Sequence, residues 1–478
     1  MISGAVAVMV AVETLAAGAE SSASQARRAP NVVVILVDDA RKQDVDVMRA
    51  TRRLLFRRGT SFTNYFSTFP LCCPFRSTLL TGQYAHNHGV MSNKAPNGGY
   101  RAFNHRNSLA VALRRGGYRT SWVGKYMNDY GKGPGGRRVV PPGWDAWASP
   151  VRGAHQLYDY TLNINGKPRR FAANYRTDVE ARIAARHIRR GAGRRAPFFA
   201  VLSLLAPHGE PREMAISRNP RPARRHQGAF ARLGLPHPPS FNERNMADKP
   251  AFMRPRAIDP ERRQFIRRRH RDRLASLLAA DDAVARVVRA LRRSGELANT
   301  HVIFTSDNGF LLGEHRDFGK VVLYEESVGV PLAIRGPGFP AHQSRSQITG
   351  SIDLAPTILD LAGVDPIVTA DGMSLLPFAA NPAHLADRDI LLENRAAQGV
   401  RTRRHVYIEH HRNGDRSPDG YELYDLREDP YQLQNLIGPQ TTRPRTDDPA
   451  RGAAIERLRT DLAERLAELR NCRGAACR

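Results

Sequence analysis

Two apolar runs in this chain end in acidic residues: VVVILVDDA sets Asp38 beside Asp39, and VIFTSDNGF sets Asp307 beside Asn308. Three carboxylates and an amide, brought together, make an all-oxygen donor set that suits a hard cation such as Ca²⁺ or Mg²⁺, whereas zinc favours nitrogen and sulfur. Cationic residues follow other runs: Lys125 in WVGKYMNDYG, His208 in LLAPHGEP, and His315 and Lys320 in GEHRDFGK. Gathered beside the acids, they would bind an anion. The stretch PLCCPFRSTLLTG adds Cys72, Cys73 and Arg76. Neighbouring Cα atoms are about 3.8 Å apart, below the usual disulfide span, so the cysteine pair does not bridge itself. No neighbouring cysteine or histidine group completes a soft tetrahedral shell around it.

A scaffold that collects these residues must bring several strand ends to one edge. Four short β-branched or apolar runs read as buried strands, at 31–37, 198–205, 301–306 and 330–334. Between them lie helical patterns, of which 274–297 is the strongest, with apolar residues at three-and-four spacing and a basic last turn before Gly295. Strands alternating with helices define an α/β sheet with helices on both faces, and ligands bind such sheets at the C-terminal ends of the strands. Residues 211–245 form a long polar loop rich in Pro and Arg. After Phe378 the pattern changes to short strands and a helix at 453–469. The expected organisation is a main domain over 30–379 and a smaller subdomain over 380–478.

With 73 Lys+Arg against 46 Asp+Glu, the 478-residue chain carries a formal net charge of +27, which favours polyanions or sulfated and phosphorylated substrates. No zinc-finger or RNP-like pattern accompanies the arginines, so nucleic acid is not an expected partner. Residues 1–29 begin with an apolar segment followed by small residues including Ala17-Gly18-Ala19, and read as a signal peptide and linker of an exported protein. No later run is long and apolar enough to form a transmembrane segment. Cys472 and Cys477 could close a short disulfide, which an exported protein keeps.

The stretch CCPFR followed by STLLTG resembles the sulfatase signature CxPSR with LTG downstream, in which the first cysteine is oxidised to formylglycine. The likeness runs from about Pro30 to the last residue. It is nearest to the N-acetylglucosamine-6-sulfatase branch, through LCCPFRSTLLTGQYAHNHGV, VGKYMNDYG, YDYTLNINGK, LASLLAADDAV, TSDNGF, VPLAIRGPG, IDLAPTILDLAG, DGMSLLP and CRGAACR. Aligned through LTG, Cys72 is the converted residue and Cys73 the variable one. The resemblance implies an alkaline-phosphatase-like α/β fold with a large central mixed sheet flanked by helices and a smaller C-terminal α+β subdomain. It implies one Ca²⁺ held by Asp38, Asp39, Asp307 and Asn308, with Arg76 steadying the aldehyde hydrate. Lys125, His208 and Lys320 would neutralise sulfate, with His208 and Lys320 assisting departure of the alcohol. A formylglycine-generating enzyme is the implied partner in maturation, and a sulfated sugar or glycan, through its 6-O-sulfate, the implied substrate. His86, His88, Asn128 and His315 are candidate substrate contacts.

Three positions depart from the family pattern. Phe75 replaces the signature serine, Met127 stands where many arylsulfatases have histidine, and Gly329 replaces the basic residue usual before VP. A phosphate or phosphonate monoester hydrolase is the alternative on the same site chemistry. An inactive polyanion-binding homologue is a second alternative, motivated by Phe75 and by the basic stretch 262–273, which otherwise reads as a solvated helix face.

Overall fold

The computed structural model describes residues 29–133, 135–210, 219–412 and 417–478. The signal-peptide reading of residues 1–29 lies, but for Ala29, outside them, as does the start of the long loop at 211–218.

A ten-stranded mixed sheet runs in the order Gln343–Arg345, Thr60–Phe62, Leu332–Arg335, Thr300–Ser306, Asn31–Val37, Phe198–Ser203, Arg119–Gly124, Ala146–Arg152, Tyr160–Ile164, Lys167–Phe171. The five strands from Thr300–Ser306 to Ala146–Arg152 are parallel. Leu332–Arg335 pairs antiparallel to Thr300–Ser306, which accounts for the mixed sheet. The strand Asn31–Val37 is buried along its whole length because both sheet faces are covered. Val32, Val34 and Leu36 face one apolar cluster with Leu79, Leu113 and Ile358, from helices Cys72–Thr81, Leu109–Arg115 and Leu354–Ala362. Val33, Ile35 and Val37 face the other, with Ala184, Leu277 and Val284, from helices Arg176–Gly191 and Pro260–Arg293.

The long helix starts at Pro260, well before the expected residue 274. Asp259 caps it by accepting the Arg262 N–H at 2.7 Å, with Pro260 opening the first turn. The basic stretch is therefore helical, but it is not wholly solvated. Arg269 and Arg273 are buried, and Arg273 donates to the Asp39 carbonyl and to Asp44 (3.2 Å).

A second, antiparallel sheet joins Ile390–Glu393, Ala397–Arg401, His405–His410 and Gly420–Asp425 in chain order. Helix Pro449–Arg470 covers one face, placing Leu462, Leu466 and Leu469 against Leu391, Val400, Tyr407 and Leu423. The other face packs Ile390, Leu392 and Tyr424 on Phe66 of the short strand Tyr65–Phe66, on Leu323 and on Val328 of the helix Glu325–Val328. Cys472 and Cys477 form a disulfide. Among the described residues, no helix is long and apolar enough to cross a membrane.

Candidate active site

The strands Asn31–Val37 and Thr300–Ser306 are paired in register from Asn31–Thr300 to Val37–Ser306. Asp38, Asp39, Asp307 and Asn308 therefore emerge together at one sheet edge, all of them buried. Asp39 takes φ +72°, a left-handed conformation that aspartate tolerates better than most residues, and its N–H donates to Asp307 at 3.0 Å. Asn308 Nδ2 donates to Asp39 Oδ1 at 2.8 Å and locks the second pair onto the first.

The helix Cys72–Thr81 begins over this edge. At 3.6 residues per turn, Cys72 and Arg76 share one face and Cys73 turns about 100° away. Arg76 is fully buried and donates to Asp38 Oδ2 (2.8 Å), Asp307 Oδ2 (3.0 Å), Ser203 Oγ (2.6 Å) and the Lys125 carbonyl (2.7 Å). Cys72 Sγ lies 3.1 Å from Lys320 Nζ, 3.3 Å from Lys125 Nζ and 3.7 Å from Asp38 Oδ1. Cys73 points into the core, where its sulfur accepts the Asn128 N–H at 3.2 Å. Phe75 lies on the same apolar side, in one cluster with Leu79.

Lys125 pairs with Asp38 at 2.6 Å, and Lys320 pairs with Asp39 and approaches Asn308 Oδ1 at 3.3 Å. His208 Nδ1 donates to the Gly209 carbonyl at 2.5 Å, leaving Nε2 facing Asp39 Oδ2 at 3.8 Å. The ligand atoms of Asp38, Asp39, Cys72 and His208 all lie within 4.8 Å of one another. The structure thus brings together Asp38, Asp39, Cys72, Arg76, Lys125, His208, Asp307, Asn308 and Lys320.

Electrostatics follow from this crowding. Burial alone would raise Asp38, but Lys125, His208, Arg76 and Lys320 hold it well below the usual carboxylate range. Burial and then the Asp38 charge push Asp307 up to about 6, against Arg76 and the two lysines. Burial and Asp38 also raise the Cys72 thiol, so the unmodified side chain is a neutral, poor nucleophile. Burial pushes Cys73 up to about 12 and His208 down to about 4.

The four candidate substrate contacts have partners of their own. His86 Nδ1 meets Glu393 (3.1 Å) and Nε2 meets the Cys472 carbonyl (3.1 Å). His88 Nδ1 accepts the Val90 N–H (3.1 Å) and its Nε2 meets Thr78 Oγ1 (3.1 Å). His315, only 1 % exposed, lies between Glu243 (2.7 Å) and Glu326 (3.6 Å) and stacks on Tyr324. Both ring nitrogens of His86 and His88 meet partners within the protein, and His315 bonds Glu243 through Nδ1 while its buried Nε2 faces Glu326 beyond hydrogen-bond distance. Asn128 uses its N–H on Cys73, and its Oδ1 is buried without a hydrogen-bond partner.

A cation stands close to Gly329. A Cβ at Gly329 would lie 3.0 Å from Lys42 Nζ, and that ammonium sits 4.8 Å from the centre of the Phe66 ring in the field of Glu325. His155, unmarked in the sequence, packs a tilted ring against that of His208, with centroids 5.0 Å apart. Nothing in its own motif marked it; only a contact between distant loops reveals it.

The sulfatase family model matches residues 30–364, and a model for the C-terminal region of N-sulphoglucosamine sulphohydrolase matches 313–448. The chain is 31 % identical to the N-acetylglucosamine-6-sulfatase of Capra hircus, over 96 % of this chain and 86 % of that protein. It is 35 % identical to the extracellular sulfatase SULF-1 homolog of Drosophila melanogaster, over 75 % of this chain but 32 % of that longer protein. The solved structure of BT4656 in complex with its substrate D-glucosamine-2-N,6-O-disulfate superposes with TM-score 0.73 at 23 % identity, covering 92 % of this chain and 98 % of that one. The chain belongs to the sulfatase family and has its alkaline-phosphatase-like fold.

Proposed function

We propose that this sulfatase removes the 6-O-sulfate of a glucosamine or N-acetylglucosamine unit in a sulfated glycan, using a formylglycine made from Cys72 by a formylglycine-generating enzyme and one bound calcium ion. The observation that carries the proposal is the placing of Cys72 Sγ between Lys125, Lys320 and Asp38 while its neighbour Cys73 turns into the core.

The residues fit both groups. Asp38, Asp39, Asp307 and Asn308 would hold the cation: they are all-oxygen donors once the Asn308 amide presents its oxygen, and hard cations choose such sets. Three carboxylates already face three cations, Arg76, Lys125 and Lys320, so a divalent ion leaves an excess of positive charge suited to a sulfate ester. Formylglycine supplies, as its hydrate, one hydroxyl that attacks sulfur and another that expels sulfate.

The chain's own residues do the remaining work. Arg76 fixes the Asp38 and Asp307 carboxylates relative to residue 72. Lys125 and Lys320 place two ammonium groups beside residue 72, where they would draw charge off the sulfate oxygens. His208, neutral with its proton on Nδ1, would turn Nε2 toward the reacting centre as an acceptor, and the Lys320 ammonium beside residue 72 would hand a proton to the departing sugar alcohol. For substrate and export, the support is the named substrates and location of the relatives, together with the Cys472–Cys477 disulfide.

The test is a panel of monosulfated sugars with paired phosphate esters, run on protein from an export-competent host, alongside elemental analysis and the mass of the Cys72 peptide. Release of sulfate from 6-sulfated glucosamines, one calcium per chain and an aldehyde at residue 72 are expected. Preference for aryl sulfates or phosphate esters would remove the substrate assignment, and an intact thiol in active protein would remove the nucleophile.

A further inference from the structure

Two loops from different strands meet beside the site. Loop 153–158 leaves the strand Ala146–Arg152, and segment 204–210 leaves Phe198–Ser203. Glu210 Oε1 accepts the Leu157 N–H at 2.7 Å, and the same carboxylate takes Arg221 Nε at 2.5 Å and Nη2 at 2.7 Å. Arg176, buried and paired with Glu180 at 2.6 Å, donates to the Ala154 carbonyl at 2.6 Å, while its N–H donates to the Leu157 carbonyl at 2.9 Å. The first loop is therefore pinned on both sides of His155. Between the pins, the His155 ring lies on that of His208, centroids 5.0 Å apart and planes 33° apart.

The His208 ring is otherwise held by one hydrogen bond, from Nδ1 to the Gly209 carbonyl. A single bond of that kind resists tilting but leaves the ring face unsupported, and a ring flip would carry Nε2 away from Asp39 and residue 72. Burial, then Lys125 and His208, press the protonation of His155 down against Asp38, so a neutral ring covers His208 without adding a charge.

We propose that His155 is a positioning residue, whose ring holds His208 in the rotamer that aims Nε2 at the reacting centre. The proposal rests on the sulfate-ester reading of the site, and its test separates the two. Kinetics on N-acetylglucosamine 6-sulfate are compared for wild type, His155→Ala, His155→Phe, His208→Ala and the double alanine variant. His155→Ala should lower kcat about tenfold with KM within about twofold, because a misplaced His208 ring slows chemistry and spares binding. His155→Phe should recover most of the loss, and in the His208→Ala background the second alanine should cost nothing further. Full kcat in His155→Ala, an additive loss in the double variant, or a KM defect that Phe does not repair would each overturn the proposal. A readout free of turnover is the His208 Cε1–H resonance in histidine-labelled protein, assigned with His208→Ala. It should broaden or shift in His155→Ala and return in His155→Phe; an unchanged line overturns the positioning role even if the enzyme proves inactive on every sulfate ester.

Discussion

Replacing His315 by glutamine should cost stability in a strongly pH-dependent way. The imidazole is 1 % exposed, so solvent screens little of its pairing with Glu243 (2.7 Å) and Glu326 (3.6 Å). Burial alone would lower its pKa, but the two carboxylates overcome that and raise it from 6.5 to about 9. A histidine whose folded pKa lies above its unfolded one stabilises the fold fully below the unfolded value, and that contribution fades as pH rises through the folded value. The shift is worth about 3 kcal/mol. His315→Gln should therefore lose about 3 kcal/mol at pH 6 and below about 1 kcal/mol by pH 9.5. Denaturant unfolding of both proteins across this range gives the difference directly. A difference flat with pH would show that the ring is not held as an imidazolium. A raised KM without lost stability would return His315 to the substrate pocket.

The remaining predictions concern the nucleophile helix and the Lys42 cation beside Gly329. Cys72→Ala should abolish turnover, whereas Cys73→Ala should keep it and lose about 1–2 kcal/mol of unfolding free energy through its core contacts. Phe75→Ser should cost about 3–5 kcal/mol, since the ring is fully buried, while raising the aldehyde fraction in the Cys72 peptide mass; an unchanged fraction would show that the aromatic does not hinder maturation. Gly329→Lys should harm the wild type more than it harms Lys42→Ala, because only the former keeps the ammonium in the space the new side chain enters; equal losses in thermal melts would deny that Lys42 fills that space.

The legible parts of this protein were those that a short stretch of chain decides for itself. A seven-residue apolar run with acids after it is a buried parallel strand with its chemistry at the end, and both Asn31–Val37 and Thr300–Ser306 behave so. The basic helix face at 262–273 and the apolar pattern at 274–297 form one helix, Pro260–Arg293, a continuity hidden in the sequence because the arginines interrupt the apolar period even though Asp259 and Pro260 form a local start signal. The inward turn of Arg273 was beyond any pattern: it depends on the Asp39 carbonyl, 234 positions away in the chain. His315 shows the same limit. Its motif has the look of a loop near the site, yet Glu243 and Glu326 reach it from other segments and bury it.

Lys42 carries this argument to its end. Judged by position, Gly329 lacks a charge; judged in space, the Lys42 ammonium stands 3.0 Å from where a Gly329 Cβ would lie, in the field of Glu325. Electrostatics constrains where charge stands and is indifferent to which strand delivers it, so a family pattern aligned column by column records a missing charge and is blind to the cation that stands beside it. The same reasoning applies to Met127. The histidine usual there is absent and the methionine is buried in the core, while the imidazole of His155 lies against His208 from a different loop. Departures from a signature are therefore best weighed after asking which other side chain has entered the space they leave.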